Sequence, residues 1–355
     1  MSNPTPAQRR CPDVPHNAWY VAAAADEVGR TPLGRRVLGT PVVLYRTRAG
    51  TAAALEDRCA HRPVRLSRGT VDGDNIVSGY TGFAYAPDGS CVRVPTQVNV
   101  PFGAGVRAFP VREDKTFVWI WVGDPRLAGL RTPPPAPWLH DPGWVSFGDA
   151  WETKASIALL HDNFADITHV PFVDPAVAPP ALATDEVPPL QVQVSETTVK
   201  FSRDYPSAPI SDWHAQVLEL PEDARHAHRE EGEFCSPGLW VDRWTVSVAG
   251  HGERDGEHTF VFTHALTPVD ERTTRHIWRV SRNFASSTAA DGTLVPLLGG
   301  YYRRTRAMLE QMQDVIDEDG ARTEVDLAAD AAVTQVRKIK ARLVAEELGV
   351  RVPPG

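Results

Sequence analysis

Residues 57–85 read DRCAHRPVRLSRGTVDGDNIVSGYTGFAY. In its first half Cys59 and His61 stand one residue apart. In its second half Ser78 and Thr81 stand at the two ends of Ser78-Gly79-Tyr80-Thr81, followed by Gly82 and Phe83. A thiolate and an imidazole are metal donors, whereas a serine hydroxyl is not ionised near neutral pH and threonine carries no lone-pair nitrogen. The stretch therefore pairs two good donors with two poor ones. A strand-like run, Thr51 to Leu55, leads into it.

Outward from this stretch, 355 residues allow two domains with a sizeable core. A hydrophobic fraction of 42% and a charged fraction of 23% are ordinary for a water-soluble globular chain. The net charge of −8 argues against nucleic acid or an anionic membrane as partner. No apolar run is long enough to span a bilayer, and MSNPTPAQRRCPDVP lacks an apolar leader core, so a cytoplasmic location is expected. Four cysteines, at 11, 59, 91 and 235, make no disulfide framework.

Val42 to Arg46 and Thr51 to Leu55, joined at Ala49-Gly50, read as a hairpin. Pro87-Asp88-Gly89 reads as a turn and Thr116 to Val122 as a strand. Residues 17–125 are thus expected to form an all-β domain. The proline-rich run from Arg131 to Pro137 marks a connector over 126–150, and a second domain is expected over 151–350. That domain should begin with a helix from Ile157 to His169. Ile157, Leu160, Phe164 and Ile167 would share its apolar face, and Asp162, Asp166 and His169 the opposite one. Strands are expected between Leu190 and Phe284, among them Leu239–Val248, Thr259–Leu266 and Thr274–Val280. Two helices, Tyr301–Asp317 and Ala331–Leu348, should close the chain. His161, His226, His228, His251 and His258 read as surface or strand histidines rather than metal ligands. Trp240, Trp244 and Trp278 read as core aromatics able to border a pocket.

The 57–85 stretch resembles the Rieske motif, C-x-H then C-x-x-H, which holds a [2Fe–2S] cluster through two cysteines and two histidines. Asn17-Ala18-Trp19-Tyr20-Val21 resembles the entry of Rieske oxygenase large subunits. Asp162-Asn163 through Asp174 resembles the active-site helix of their vanillate-demethylase-like branch, D-N-x-x-D-x-x-H-x-x-x-x-H, and Thr267-Pro268 through Trp278 resembles its "T-P-E-T…H-x-W" strands. The resemblance implies an α+β fold, with an N-terminal all-β Rieske-like domain and a C-terminal helix-grip-like catalytic domain. It also implies assembly as a homotrimer or as a mixed trimer with a homologue. Carried onto this sequence, the second cluster cysteine and histidine become Ser78 and Thr81. The first iron histidine is His169, the second becomes Asp174, and the iron carboxylate position becomes Thr305 beside Arg304. Asp166 keeps the carboxylate that links the family's two centres.

These replacements lead to the expectation that neither metal nor other cofactor is held, with Cys59, His61, His169 and Asp174 left as residual donors. The protein is then expected to be an enzyme carrying out a non-redox cyclisation, cycloaddition or rearrangement of a small, natural-product-like molecule. Asp166, His169 and Asp174 would be its catalytic residues, with His161, Asn163, Thr305 and Trp240 against the substrate. Two alternatives stand beside this: a non-catalytic subunit of a mixed oxygenase trimer, and an active Rieske-type oxygenase or demethylase with unusual ligands.

Overall fold

A computed structural model describes residues 11–183, 187–221, 224–249, 256–320 and 322–349. The fold is mixed, with two compact units. The first takes the chain up to Pro133, with Thr267–Glu271 and the end of the chain from Leu343. The second takes Pro134–Leu266 and Arg272–Arg342. The division falls inside the expected connector, which carries the 3-10 turns Pro125–Leu130 and Pro137–Leu139 and whose end from Val145 belongs to a strand.

The first unit carries ten short strands: β1 (Trp19–Ala24), β2 (Leu33–Val37), β3 (Thr40–Arg46), β4 (Ala52–Glu56), β5 (Thr70–Asp72), β6 (Asn75–Val77), β7 (Ala84–Tyr85), β8 (Cys91–Arg93), β9 (Val111–Glu113) and β10 (Phe117–Trp121). They form three antiparallel sheets, ordered β1-β10-β9, β2-β3-β4 and β5-β6-β7-β8. One core cluster holds Val43, Tyr45, Leu55, Ile76 and Tyr85 together with Cys59, so the donor-bearing loop is anchored in packed apolar side chains.

In the second unit β11 (Val145–Thr153) leads to α1 (Ile157–Ala165) and α2 (Val170–Val173). Next come β12 (Gln191–Val194), β13 (Thr198–Pro209), α3 (Asp212–Leu218), β14 (Arg225–Cys235), β15 (Leu239–Val248), β16 (Gly256–Asp270) and β17 (Thr273–Arg282). Two helices follow, α4 (Thr288–Asp319) and α5 (Ala331–Glu347). One sheet takes all seven strands in the order β11-β17-β16-β15-β14-β13-β12. Burial alternates along β14, with His226, His228, Glu230 and Phe234 on its buried face. That period of two is what a sheet covered on one side requires. At Gly232 on the same face, a Cβ would lie 2.0 Å from the Phe201 ring, so only glycine lets that ring pack flat on the strand. Tyr205, Trp244, Phe260, Trp278, Leu294 and Tyr302 are among the residues of the core beneath.

Several expected elements differ. The first helix stops at Ala165, because Asp166 takes an extended φ of −130°. Ile157, Leu160 and Phe164 are buried as the apolar face requires, and Ile167 lies beyond the helix. Pro171 sits in the first turn of α2, where its missing N–H costs nothing. Helix α4 starts at Thr288 and runs through Pro296. Helix α3 answers to no expected helix. Among the described residues no helix is long and apolar enough to cross a membrane.

Candidate active site

In the first unit, Ser78 to Phe83 folds as a tight turn. The Gly82 amide donates to the Ser78 carbonyl (3.0 Å) and the Ser78 amide to the Phe83 carbonyl (2.8 Å). Gly82 sits at φ +68° with Pro95 against it, where a Cβ would come within 2.7 Å of the proline ring. The turn brings Thr81 to Cys59. The Cys59 Sγ lies 3.3 Å from the Thr81 hydroxyl and 3.2 Å from the Tyr85 hydroxyl. Burial pushes this thiol up, but hydrogen bonds from Thr81, Tyr85 and the backbone at Arg62 and His61 outweigh it and bring it to about 7. Exposed His61 stacks on Phe83, with ring centroids 5.1 Å apart. The loop geometry of a cluster site is therefore present. Its donors are one thiol, one imidazole and two hydroxyls, which do not fit a [2Fe–2S] cluster.

In the second unit, the break after α1 aims His169 inward. Its Nδ1 lies 2.9 Å from the Asp166 carbonyl, which can only accept, so Nδ1 carries the proton. Nε2 is left as the acceptor facing the Tyr301 hydroxyl at 3.2 Å. Burial lowers the pKa of His169 against the opposing pull of Asp166, so the ring is held neutral. The Asp166 carboxylate turns away, accepting from the amide and hydroxyl of Thr168 (2.9 Å each). Buried Asp174 is ion-paired with Arg304 on α4. Thr305 is buried beside the Tyr301 hydroxyl. One imidazole already bonded at both nitrogens, an ion-paired carboxylate and a threonine do not make a two-histidine, one-carboxylate iron site. Among the described residues no group of three or more His, Cys, Asp or Glu is placed to hold a metal.

A mostly apolar pocket of about 120 Å³ enters the same unit. Asn163 and His169 line it with Tyr301. Asp166, Asp174, Thr305, His161 and Trp240 do not. His161 is a core residue of α1, 1% exposed, whose Nδ1 accepts from the Trp240 indole at 2.8 Å. His161 is thus buried on a helix rather than at the surface or on a strand, whereas His226 and His228 on β14 and His258 on β16 are strand histidines as expected, the first two buried. His251 lies outside the described residues. Trp240, Trp244 and Trp278 are all buried, and Trp244 lines the pocket.

The pocket and its surroundings hold further polar groups outside the expected site residues. Asp242 on β15 is pushed well above the usual carboxylate range by burial and then by Glu230. Its Oδ2 lies 3.8 Å from Nε2 of His264, whose Nδ1 is 3.0 Å from Nε2 of His276. Glu230 accepts from Arg203 (3.2 Å) and Tyr205 (3.1 Å). Trp213, His214 and His228 stand on the α3 and β14 side. The alternating His226-Ala227-His228-Arg229-Glu230 was the one legible signal, since such spacing puts three polar side chains on one face of a strand.

Residues 18–110 match the Rieske [2Fe-2S] domain, and residues 153–346 match the vanillate O-demethylase oxygenase C-terminal domain. The chain is 30% identical to a putative toluene-4-sulfonate monooxygenase system iron-sulfur subunit of Comamonas testosteroni, over 95% of this chain and 99% of the relative. It is also 30% identical to a vanillate O-demethylase oxygenase subunit of a Pseudomonas species, over 94% and 96%. A crystal structure of dicamba monooxygenase bound to 3,6-dichlorosalicylic acid superposes with a TM-score of 0.85 at 28% identity, covering 94% of this chain and 98% of that one. These relatives overturn the expectation of a metal-independent cyclase or isomerase, because the proteins matching this chain end to end are named as monooxygenase and demethylase components. Missing metal donors alone do not imply a change of reaction class. A pocket with apolar walls and a few neutral hydrogen-bonding groups suits substrate binding for oxygenation equally well. Both domain matches and both full-length relatives agree, and the chain belongs to the Rieske non-heme iron oxygenases, in the branch of the vanillate O-demethylase oxygenase subunits.

Proposed function

We propose that this chain is the substrate-binding subunit of a Rieske-type oxygenase system that acts on a small, largely apolar molecule. The redox centres of that system are assigned to a metal-complete homologue in the same assembly. The observation that supports this reading is the pocket of the second unit, where Asn163, His169 and Tyr301 meet walls such as Phe164, Trp244 and Phe260. The relatives' names, an iron-sulfur subunit and an oxygenase subunit, support an oxygenase system as the setting.

Within the reading, the apolar walls exclude water from the ligand, and the polar groups orient it. The Tyr301 hydroxyl is already committed to the lone pair of His169 Nε2, so its oxygen is left to accept, from the Thr305 hydroxyl beside it or from a ligand donor. Asn163 offers both a donor and an acceptor. No step is routed through iron, since the donors at both family metal positions do not fit.

The test is co-expression with a homologue that carries the full cysteine and histidine set. The measurements are iron, acid-labile sulfide and product mass, made on each protein alone and on the mixture. Product carrying added oxygen, formed faster by the mixed assembly than by the homologue alone, is the expected result. Near-stoichiometric iron, sulfide and turnover in this chain alone would overturn the division of labour. Failure to assemble with the homologue would overturn the reading.

A further inference from the structure

We propose that Asp242 selects the ligand of this pocket for positive charge, so that the preferred molecule is small, largely apolar and carries an amine, bound as its ammonium against the carboxylate. The inference rests on the small-molecule reading of the same pocket. Five neighbouring strands of the large sheet each give one ionisable side chain to a single row: Arg203 on β13, Glu230 on β14, Asp242 on β15, His264 on β16 and His276 on β17. The row is continuous. Arg203 donates to Glu230 at 3.2 Å, and Glu230 and Asp242 feel each other's charge. Asp242 Oδ2 lies 3.8 Å from His264 Nε2, and His264 Nδ1 lies 3.0 Å from His276 Nε2.

Charge along this row does not close. Buried Arg203 and Glu230 form an ion pair and neutralise each other. Burial holds His264 well below the usual imidazole range and His276 at about 3, so both rings are neutral. Arg243, the next residue of β15, lies over the Trp138 ring at 4.8 Å, on the opposite face as strand alternation requires. Asp242 is left with no cation bonded to it among the described residues. Its Oδ1 is buried without a hydrogen bond, and the contact from Oδ2 to His264 is beyond hydrogen-bond reach. A buried carboxyl in that condition is costly unless a partner arrives. Asp242 lines the pocket with 19% of its side chain exposed, so a ligand can reach it.

The surrounding wall suits a cation. Phe262 stands directly opposite Asp242 in the pairing of β15 with β16, and Trp244 follows two residues along the strand. Tyr301 and Tyr302 of α4 are close enough to feel the Asp242 charge. All four line the pocket, and aromatic rings attract an ammonium over their faces. An oxyanion would instead meet Asp242 and Glu230 as like charges. A neutral hydroxyl gains an uncharged hydrogen bond, roughly half as strong as a charge-assisted one. In the empty pocket, burial and then Glu230 push Asp242 well above the usual carboxylate range. An ammonium beside it draws the carboxyl back to its ionised form, and the displaced proton leaves to solvent.

Calorimetric titration of the full chain near neutral pH with benzylamine, benzyl alcohol and benzoate tests the proposal. The three probes share one ring and differ in charge. Benzylamine should bind at least about tenfold tighter than benzyl alcohol, with benzoate the weakest. Asp242→Asn keeps the shape and removes the charge. It should weaken benzylamine about tenfold or more and leave benzyl alcohol within about twofold. Benzylamine binding no tighter than the alcohol overturns the proposal and leaves the small-molecule reading standing; that comparison uses the unaltered chain and does not depend on how the variant folds. Equal loss of both probes in Asp242→Asn, the mark of a merely structural role, overturns it too, as does an amine preference that survives the substitution. No binding of any probe overturns both readings.

Discussion

Nε2 of His169 and the hydroxyl of Tyr301 lie 3.2 Å apart at one end of the pocket, and the proton on Nδ1 fixes which of them donates. Tyr301→Phe removes the O–H that occupies the imidazole lone pair. A bond to that lone pair favours the neutral ring, so its loss should raise the His169 pKa towards its ordinary value of 6.5. The variant should also lose about 1 kcal/mol of stability. Proton NMR titration of His169 checks the first point and urea unfolding the second; an unmoved or lowered pKa would refute the assigned tautomer.

Burial holds a set of histidines neutral: His161 and His264 well below the usual imidazole range, and His214 and His276 at about 3. Their ring signals should stay untitrated from pH 7.5 down to about 5. The consequence for stability has a definite sign. The unfolded chain takes up protons below about 6.5 and the folded one does not, so folding weakens as pH falls through that value. The loss is roughly 1.4 kcal/mol per histidine one unit lower. Asp242 and Glu230, raised by burial, act in the opposite sense and offset part of this. A urea midpoint that stays level between pH 7 and 5 would contradict the balance.

Gly232→Ala should push the Phe201 ring off β14 and into the pocket it lines. The aromatic ring cannot swing clear as a flexible chain end would, so overpacking should cost about 1–3 kcal/mol. Weaker binding of a neutral aromatic probe, benzyl alcohol, in a calorimetric titration is expected.

Trp240→Phe leaves the Nδ1 of His161 without its donor in a fully buried setting. The cost should be about 1–3 kcal/mol, the penalty of an orphaned buried acceptor together with lost packing. Because neither residue lines the pocket, affinity for benzyl alcohol should stay within about twofold. A large affinity loss at unchanged stability would instead put this pair against the ligand.

Local patterns were legible wherever one element carried its own signal. The run Leu239–Val248 coincides with β15, and Ala331 opens α5 as its apolar spacing suggests. Helix α4 was read from Tyr301 because Gly292, Pro296, Gly299 and Gly300 mask its first turns, and tertiary packing of Leu294 and Leu298 overrides that poor propensity. The break at Asp166 was hidden for the opposite reason, since the residues up to His169 keep a helical pattern while the carboxylate bonds Thr168 instead. Within the site, Asn163 and His169 were found because one short stretch carries both. Asp242, His264 and His276 meet only through the pairing of β15, β16 and β17, and nothing in the spacing of those three residues announces it.

The pairing of β11 with β17, Thr153 opposite Thr274 and Val145 opposite Arg282, sets a timetable for the nascent chain. Strands β12 to β17 each emerge from the ribosome beside the neighbour they will join, whereas β11 is made first and its partner last. Throughout that interval β11 is a free edge, open to another β11 on a neighbouring polysome. Asp149 and Glu152 stand exposed along it. Two copies laid side by side would bring like charges together, so these carboxylates guard the strand while it waits and go on guarding it as an edge of the finished sheet.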